Sequence, residues 1–244
     1  MNFRKCVTLS TNKRLCIKFQ LQREIVPLEK KYKKNDKIKH KVFCIGFGKT
    51  GTTSLELALK NFGYRMGNQA VSEMMVEDWY NQKSERIVKF CHTADAFQDM
   101  PFGMPNLYKE LDKSFPKSKF ILTVRDNEEQ WYNSLVSFHA KLWSKDGVSP
   151  PTEEELNNAI YRYKGWALDM MKLNSEYPEV PLYDRRAYLS SYLCHISDVK
   201  DYFKDRQEDL LILNVAEHAS YQKLAKYLGV DVDANETFPW ENKT

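Results

Sequence analysis

The 244-residue sequence predicts an α/β fold in which helices flank a central parallel sheet. Three short apolar runs have the length and composition of strands that are buried on both faces. Segments with apolar residues at helical spacing alternate with these runs, and such alternation is typical of parallel strands joined by crossover helices. A short basic N-terminal add-on precedes the alternating pattern.

The first elements are a strand, a turn and a helix. Residues 42–45 form an apolar run that ends at Gly46, as expected of a buried strand. A turn rich in glycine and threonine follows over residues 46–54. Apolar residues then recur on one face of residues 54–62, and Gly63 can end that helix. This order places the turn between the carboxyl end of a strand and the start of a helix.

The remaining elements follow further along the chain. Residues 120–124 predict a second buried strand, and residues 128–142 predict the helix after it. Thr152 and Glu155 predict a capping box that opens a long helix ending at about residue 173. The last predicted elements are a helix at 197–203, a strand at 210–215 and a helix at 220–228.

Composition excludes several classes of protein. Apolar residues make up 42% of the chain and charged residues 29%, which is typical of a globular protein rather than a disordered one. No run approaches the roughly 18 apolar residues of a membrane-spanning helix, and residues 1–11 lack the apolar core of a secretory signal. The five cysteines include no CxxC pair, so neither a disulfide framework nor a structural zinc site is expected. We therefore expect a cytoplasmic protein.

Charge divides the chain into two predicted units, a basic appendage of residues 1–41 and a main domain of residues 42–244. The appendage holds 13 lysines and arginines against 3 acidic residues, whereas the rest of the chain holds 24 against 30. Alternating apolar residues at 15–21 favour a β-hairpin in the appendage, followed by a charged linker. The alternative is a peripheral contact with an anionic membrane or polymer. Because the main domain is acidic, no nucleic-acid partner is expected.

The turn at residues 46–54 has the composition of a phosphate-binding loop. Glycines permit positive φ angles, so successive backbone N–H groups can converge on an anion. The helix after the turn adds unpaired N–H groups and the positive end of its dipole. A turn that needs glycine only for tight geometry is the alternative, but one lysine and four hydroxyls favour phosphate binding. These side chains are Lys49, Thr50, Thr52, Thr53 and Ser54.

The position of the lysine distinguishes this loop from that of ordinary ATPases and GTPases. In a Walker A loop the lysine directly follows the second glycine, but here Thr52 follows Gly51 and the lysine is Lys49. The second predicted strand is followed by Arg125, which suits a bound phosphate better than a metal ion. No metal site is visible in the sequence. The pattern therefore predicts a P-loop-type sheet whose phosphate chemistry differs from that of ATPases and GTPases.

Two motifs resemble those of the P-loop sulfotransferases, in particular the small soluble branch of that family. Residues 49–53 (KTGTT) resemble the family's 5′-phosphosulfate loop, and residues 120–126 (FILTVRD) with 131–134 (WYNS) resemble its 3′-phosphate motif. The likeness covers about residues 41–244. It implies transfer of a sulfuryl group from 3′-phosphoadenosine-5′-phosphosulfate (PAPS) to a hydroxyl or amine, which leaves 3′-phosphoadenosine-5′-phosphate (PAP). The implied acceptor is a small molecule or a carbohydrate.

The resemblance also implies roles in the donor site. Lys49 would stabilise the charge that develops on the oxygen between sulfur and phosphorus. Arg125 would bind the 3′-phosphate together with a serine, for which Ser134 is expected and Asn133 is the alternative. Trp240 is expected to contact adenine. The 5′-phosphate would be held by Lys49 and by the loop residues Thr50, Gly51, Thr52, Thr53 and Ser54.

A general base must take the proton of the acceptor. The resemblance favours Asp99 for this role, with Asp95 and His92 as alternatives. His139 and His195 are expected to be structural. We expect the acceptor to bind near the aromatic and methionine side chains between residues 137 and 186, which are Trp143, Tyr161, Tyr163, Trp166, Met170 and Met171.

Two other functions are compatible with a phosphate loop. A nucleotide or small-molecule kinase would need Mg²⁺ and a lysine next to the second glycine, so Lys49 and Arg125 count against it. A non-catalytic nucleotide-binding module would use the basic appendage to bind an anionic polymer. In such a module the phosphate loop would be vestigial, and the intact Lys49 and Arg125 count against this.

Overall fold

The computed structural model describes residues 40–175 and 177–239. The hairpin predicted for the N-terminal appendage and Trp240 lie outside the described residues. The division at residue 41 therefore stays a prediction.

A parallel sheet forms the centre of the fold, as the sequence predicts. Within the described residues it has four strands, and every neighbouring pair is parallel, in the order β2-β1-β3-β4. The strands are β1 (Val42–Cys44), β2 (Ala96–Phe97), β3 (Lys119–Thr123) and β4 (Leu210–Leu213).

Helices cover the sheet, which confirms the predicted α/β class. The described part of the chain contains ten α-helices. They are α1 (Thr52–Asn61), α2 (Gln69–Glu73), α3 (Val76–Tyr80), α4 (Glu85–Phe90), α5 (Leu107–Ser114), α6 (Glu128–Trp143), α7 (Glu153–Asn158), α8 (Trp166–Asn174), α9 (Arg185–Tyr202) and α10 (Ser220–Leu228). None of the helices in this part of the chain combines the length and the apolar character that crossing a membrane requires.

The two faces of the sheet bury separate apolar clusters, because successive side chains of a strand point to opposite sides. Phe43 and Phe120 belong to the cluster on one face, together with residues of α5 and α9. Cys44 and Ile121 belong to the cluster on the other face, which α1 and α10 cover. Burial on both faces explains why these strands read as continuous apolar runs in the sequence.

The strand order creates a crevice at the carboxyl ends of β1 and β3. The chain leaves β1 for β2 on one side, whereas it leaves β3 for β4 on the other side. Connections that diverge in this way leave a gap between neighbouring strands, where α/β sheets commonly bind ligands. The loop at residues 46–51 and Arg125 both lie at this gap.

The structure corrects the predicted helix at residues 152–173. Its capping box is present, since Thr152 Oγ1 accepts from the Glu155 N–H and the Glu155 carboxylate accepts from the Thr152 N–H. The helix nevertheless ends at Asn158, and a separate helix begins after Gly165, which has a φ of 87°. The intervening turn closes through a bridge between Ile160 and Lys164. This interruption places a loop beside the crevice.

Other boundaries also differ from the predictions. The helix predicted at 197–203 is the end of the longer α9, which Asp184 caps by accepting from the Ala187 N–H. The two-residue strand β2 and the helices α2 to α4, of five or six residues each, are too short to be predicted individually from periodicity.

Candidate active site

Two residues of the loop after β1 have positive φ angles, and of its glycines only Gly51 is one of them. Gly51 has a φ of 95° and precedes the first turn of α1, and Lys49 has a φ of 70°. The N-terminal N–H groups of α1 therefore begin directly after the loop, where they are available to an anion. No side chain caps this helix end.

Side chains from three elements hold the loop in place. Thr50 Oγ1 lies 2.5 Å from Phe47 O and 2.5 Å from Thr123 Oγ1, so this hydroxyl fastens the loop to β3. Trp131 Nε1 of α6 donates to Gly48 O at 3.0 Å. His195 Nε2 of α9 donates to the Ile45 carbonyl at 2.7 Å, in the structural role expected of it. The Thr50 side chain is completely buried and does not face the crevice.

Two glycines of this loop differ in the space around them, which gives a stability prediction. A Cβ on residue 46 would lie 2.1 Å from Thr123 Oγ1 and 2.5 Å from Thr123 O, so Gly46→Ala must push β1 and β3 apart. We expect the free energy of unfolding to fall by about 1–3 kcal/mol. A Cβ on Gly48 would meet only Asp99 Oδ1, at 3.6 Å.

Denaturant unfolding of the two alanine variants measures this difference. Gly48→Ala is the matched control, and its free energy of unfolding should change by no more than about 0.5 kcal/mol. Equal stabilities for the two variants would contradict the close approach of the loop to β3.

The crevice opens into a pocket with a basic end and an acidic, aromatic end. The basic end is lined by the loop and the start of α1, together with Arg125. Of the loop hydroxyls, those of Thr52 and Ser54 belong to largely buried residues, whereas Thr53 is exposed. The pocket lining from this segment consists of Gly48, Lys49, Gly51, Thr52, Thr53 and Ser54.

The Lys49 ammonium is held against an aromatic ring. Its Nζ lies 3.7 Å from the centroid of the Phe138 ring of α6, a cation–π distance. Burial and the positive charge of Arg125 lower the pKa of Lys49 to about 8, although the negative charge of Asp99 opposes the shift. An anion in the pocket would relieve this repulsion between two neighbouring cations.

Arg125 follows β3 and is hydrogen-bonded to the loop. Its Nε donates to the Lys49 carbonyl at 2.7 Å, and its backbone N–H donates to Tyr192 Oη at 2.9 Å. Burial lowers the pKa of the guanidinium. In the described part of the chain no salt bridge involves Arg125. The N–H groups on its two Nη atoms are therefore suited to donate hydrogen bonds to an anion.

The two alternatives for the serine position differ in exposure. Ser134 is 8% exposed on the inner side of α6, whereas Asn133 is exposed on its outer side. The structure places neither of them in the lining of the pocket.

Asp99 lines the same pocket and lies close to the loop, since a Cβ on Gly48 would be 3.6 Å from its Oδ1. It has a φ of 61°, and its Oδ1 accepts from the Met100 N–H at 2.9 Å. Burial and the negative charge of Glu73 raise its pKa to about 6, with Lys49 acting in the opposite direction. A carboxyl with a pKa near 6 can accept a proton at neutral pH.

The two alternative bases lie outside the pocket lining. Asp95 is buried, and its Oδ2 accepts from the Arg65 N–H at 3.1 Å. His92 is exposed and packs against the Phe115 ring, with 5.1 Å between ring centroids.

Three polar residues that the sequence analysis did not select also line the pocket. Gln69 and Glu73 stand one turn apart on α2 and approach Asp99. His139, predicted to be structural, also lines the pocket, and its Nδ1 is 3.0 Å from Tyr183 Oη. Burial and the charge of Lys49 lower the pKa of His139 to about 3, so it is neutral. No sequence pattern identifies Glu73, because its burial and its position in a helix of five residues are visible only in the structure.

The acidic end of the pocket has an aromatic wall. Phe138, Trp143, Tyr161 and Trp166 line it, whereas Tyr163, Met170 and Met171 do not line the pocket and, like Trp166, take part in the apolar cluster between α3, α7 and α8. Helix α6 contributes Leu135, Phe138, His139 and Leu142, which share one helical face.

The fold and the site define a class of protein. A loop with two left-handed residues follows β1, an arginine follows the neighbouring strand β3, and a carboxyl lines the same pocket at the switch point of a parallel sheet. This arrangement is typical of α/β proteins that bind a phosphorylated ligand and act on it.

The chain belongs to the sulfotransferase family, because that family's sulfotransferase-domain model matches residues 41–244. The match confirms the resemblance seen in the two motifs and supports sulfuryl transfer as the general activity. A comparison with curated proteins finds no significant match.

Proposed function

We propose that the protein is a PAPS-dependent sulfotransferase whose acceptor is a small molecule or a carbohydrate. The observation that carries the proposal is that two cations, Lys49 and Arg125, and the carboxyl of Asp99 line one pocket. Family membership supports sulfuryl transfer. The donor, the acceptor class and the residue roles are proposals.

The residues of the basic end fit a donor with two phosphate groups. The first group meets Lys49, the N-terminal N–H groups of α1 and the hydroxyls of Thr52 and Thr53, which are all hydrogen-bond donors. The second meets Arg125, whose planar guanidinium can donate two parallel hydrogen bonds to a phosphate. Bound PAPS supplies a sulfuryl group whose leaving group is a phosphate.

Lys49 and Asp99 divide the chemistry between them. The Asp99 carboxylate accepts the proton of the acceptor hydroxyl while the acceptor oxygen forms its bond to sulfur. As the bond between sulfur and the bridging oxygen breaks, the Lys49 ammonium stabilises the negative charge on that oxygen. The products are a sulfate ester and PAP, and the proton rests on Asp99.

The acceptor is proposed to lie against the aromatic wall. Trp143, which is half-buried, and Tyr161, which is exposed, offer flat apolar surface for a ring, whereas Trp166 is 3% exposed. The Asp99 carboxyl lines the same pocket. A small molecule or a sugar would in this way bring one hydroxyl to Asp99.

Arg125→Ala tests the donor assignment. We expect the variant to bind PAP about 10- to 100-fold more weakly, because a charge-assisted contact to the 3′-phosphate is lost. Affinity for adenosine 5′-phosphate, which lacks the 3′-phosphate, should change little. Thermal unfolding with each ligand measures both, since a ligand at a hundred times its dissociation constant stabilises by about 2.7 kcal/mol.

Arg86→Ala is the matched control, because it removes an arginine whose partner, Asp78, lies outside the pocket lining. Its PAP response should equal that of the wild type. Stabilisation by ATP with Mg²⁺ in preference to PAP would favour the kinase alternative, and no response to either ligand would favour a vestigial site.

A further inference from the structure

We propose that Gln69 and Glu73 of α2 are positioning residues, which orient the Asp99 carboxyl and determine the charge around it. This inference rests on the proposed function for its catalytic meaning, but it concerns contacts within the chain itself. Neither residue belongs to the two motifs that carry the family resemblance.

One amide group connects the two carboxyls. Gln69 Nε2 donates to Glu73 Oε1 at 2.8 Å and lies 3.5 Å from Asp99 Oδ2. The other Asp99 oxygen accepts from the Met100 N–H. Each Asp99 oxygen therefore has an N–H donor within 3.5 Å, and the Gln69 amide links the Glu73 carboxyl to the Asp99 carboxyl.

A second amide determines which way Gln69 points. Gln98 Nε2 donates to Gln69 Oε1 at 3.1 Å and to Glu56 Oε2 at 3.0 Å. Because the Gln69 oxygen is occupied as an acceptor, its NH₂ group faces the carboxyls of Glu73 and Asp99. Gln98 itself is 6% exposed, whereas Gln69 and Glu56 are half-buried.

Glu73 forms a buried ion pair. The residue is 3% exposed, and its Oε2 accepts from Arg162 Nε. Arg162 lies in the turn between α7 and α8, the segment that interrupts the predicted long helix. A buried carboxylate requires such a partner, so the interruption supplies the counter-charge for Glu73.

The charges around Asp99 come from several elements. Lys49 of the loop favours its ionised form, whereas Glu73 of α2 and Glu56 of α1 disfavour it. Tyr161, next to Arg162, also interacts with Asp99. Glu73 is the strongest of the like charges, which agrees with the raised pKa of Asp99.

Two variants change the Asp99 environment in opposite directions. Glu73→Gln removes a neighbouring negative charge, so the titration midpoint of Asp99 should fall by about half to one pH unit. Gln69→Leu removes a donor that favours the ionised form, so the midpoint should rise by a few tenths of a unit. General loosening of the pocket would move both variants in the same direction.

The measurement is the ¹³C chemical shift of the Asp99 carboxyl against pH in protein labelled at aspartate, with Asp99→Asn identifying the signal. The acid limb of the pH profile of kcat/KM should move with it. Glu56→Gln is the matched control, because it removes the same charge at a weaker position and should cause a smaller shift. An unchanged Asp99 midpoint in Glu73→Gln, or equal shifts of that midpoint in Glu73→Gln and Glu56→Gln, would overturn the proposal.

The carboxyl titration separates this inference from the proposed function. If the wild type neither binds PAP nor transfers a sulfuryl group, the proposed function fails, while the shifts of the Asp99 midpoint still test the positioning role. If PAP stabilises all variants equally and the midpoints do not move, the proposed function survives and the positioning role fails.

Discussion

Lys49→Ala is expected to lower turnover by about 10²- to 10³-fold, because a preorganised cation at the developing charge is lost. Since the pKa of Lys49 is lowered to about 8, the wild type should lose kcat/KM as the pH rises through 8, where the ammonium becomes neutral. That alkaline limb should be absent from the variant. Steady-state kinetics from pH 5 to about pH 9 measure both effects.

Two further variants control this result. Lys49 has a left-handed backbone, which asparagine tolerates better than alanine, so Lys49→Asn separates loss of the ammonium from backbone strain. Lys141→Ala removes an exposed neighbouring charge that also acts on Lys49. Its turnover should stay within about threefold of the wild type, as expected of a screened charge. Near-normal turnover in both Lys49 variants would contradict the assigned role.

Asp99→Asn is expected to lower turnover by about 10²- to 10⁴-fold, because the acceptor loses its general base. The same change should stabilise the fold. The pKa of Asp99 is raised to about 6 in the folded protein, so ionised Asp99 disfavours folding above that pH. Because the side chain is only partly buried, we expect a gain of about 1–2 kcal/mol at pH 7.5 rather than the full value of the shift.

The pH dependence gives the sign of this stability effect. Below pH 4 the carboxyl is protonated in both the folded and the unfolded chain, so Asp99→Asn should have no advantage there. The advantage should grow between about pH 4 and 6 and then stay constant. Urea unfolding at several pH values measures it.

Asp95→Asn is the matched control for both measurements, turnover and the free energy of unfolding, since Asp95 is a buried aspartate outside the pocket lining. It should keep wild-type turnover, and so should His92→Ala. If either change abolished turnover while Asp99→Asn did not, the base would have to be reassigned.

The central sheet and its loop could be predicted because their signals are local. Strands buried on both faces are apolar along most of their length, as residues 120–122 are. This loop enters α1 through a left-handed residue, and Gly51 supplies it. The positions of Lys49 and Arg125 follow from these two elements and the parallel sheet.

The acceptor end could be predicted only in part, because it depends on contacts between distant segments. Glu73 and Arg162 are 89 residues apart, and no spacing in the sequence relates them. The capping box at Thr152 correctly predicts the start of α7, but it carries no information about where that helix ends. Gly165 marks the break, and its φ of 87° is visible only in the structure.

In the proposed donor site, the hydrogen bond between Arg125 Nε and the Lys49 carbonyl would make recognition of the 3′-phosphate and the rate of transfer interdependent. A guanidinium that is drawn toward that phosphate would carry the backbone of the lysine with it, so affinity gained at one end of the pocket would be converted into orientation at the other. A nucleotide without that phosphate would therefore be discriminated against twice, once when it binds and again when it reacts. Because coupling between two binding interactions is reciprocal, any contact that fixes the Lys49 backbone would also strengthen the binding of the phosphate by Arg125.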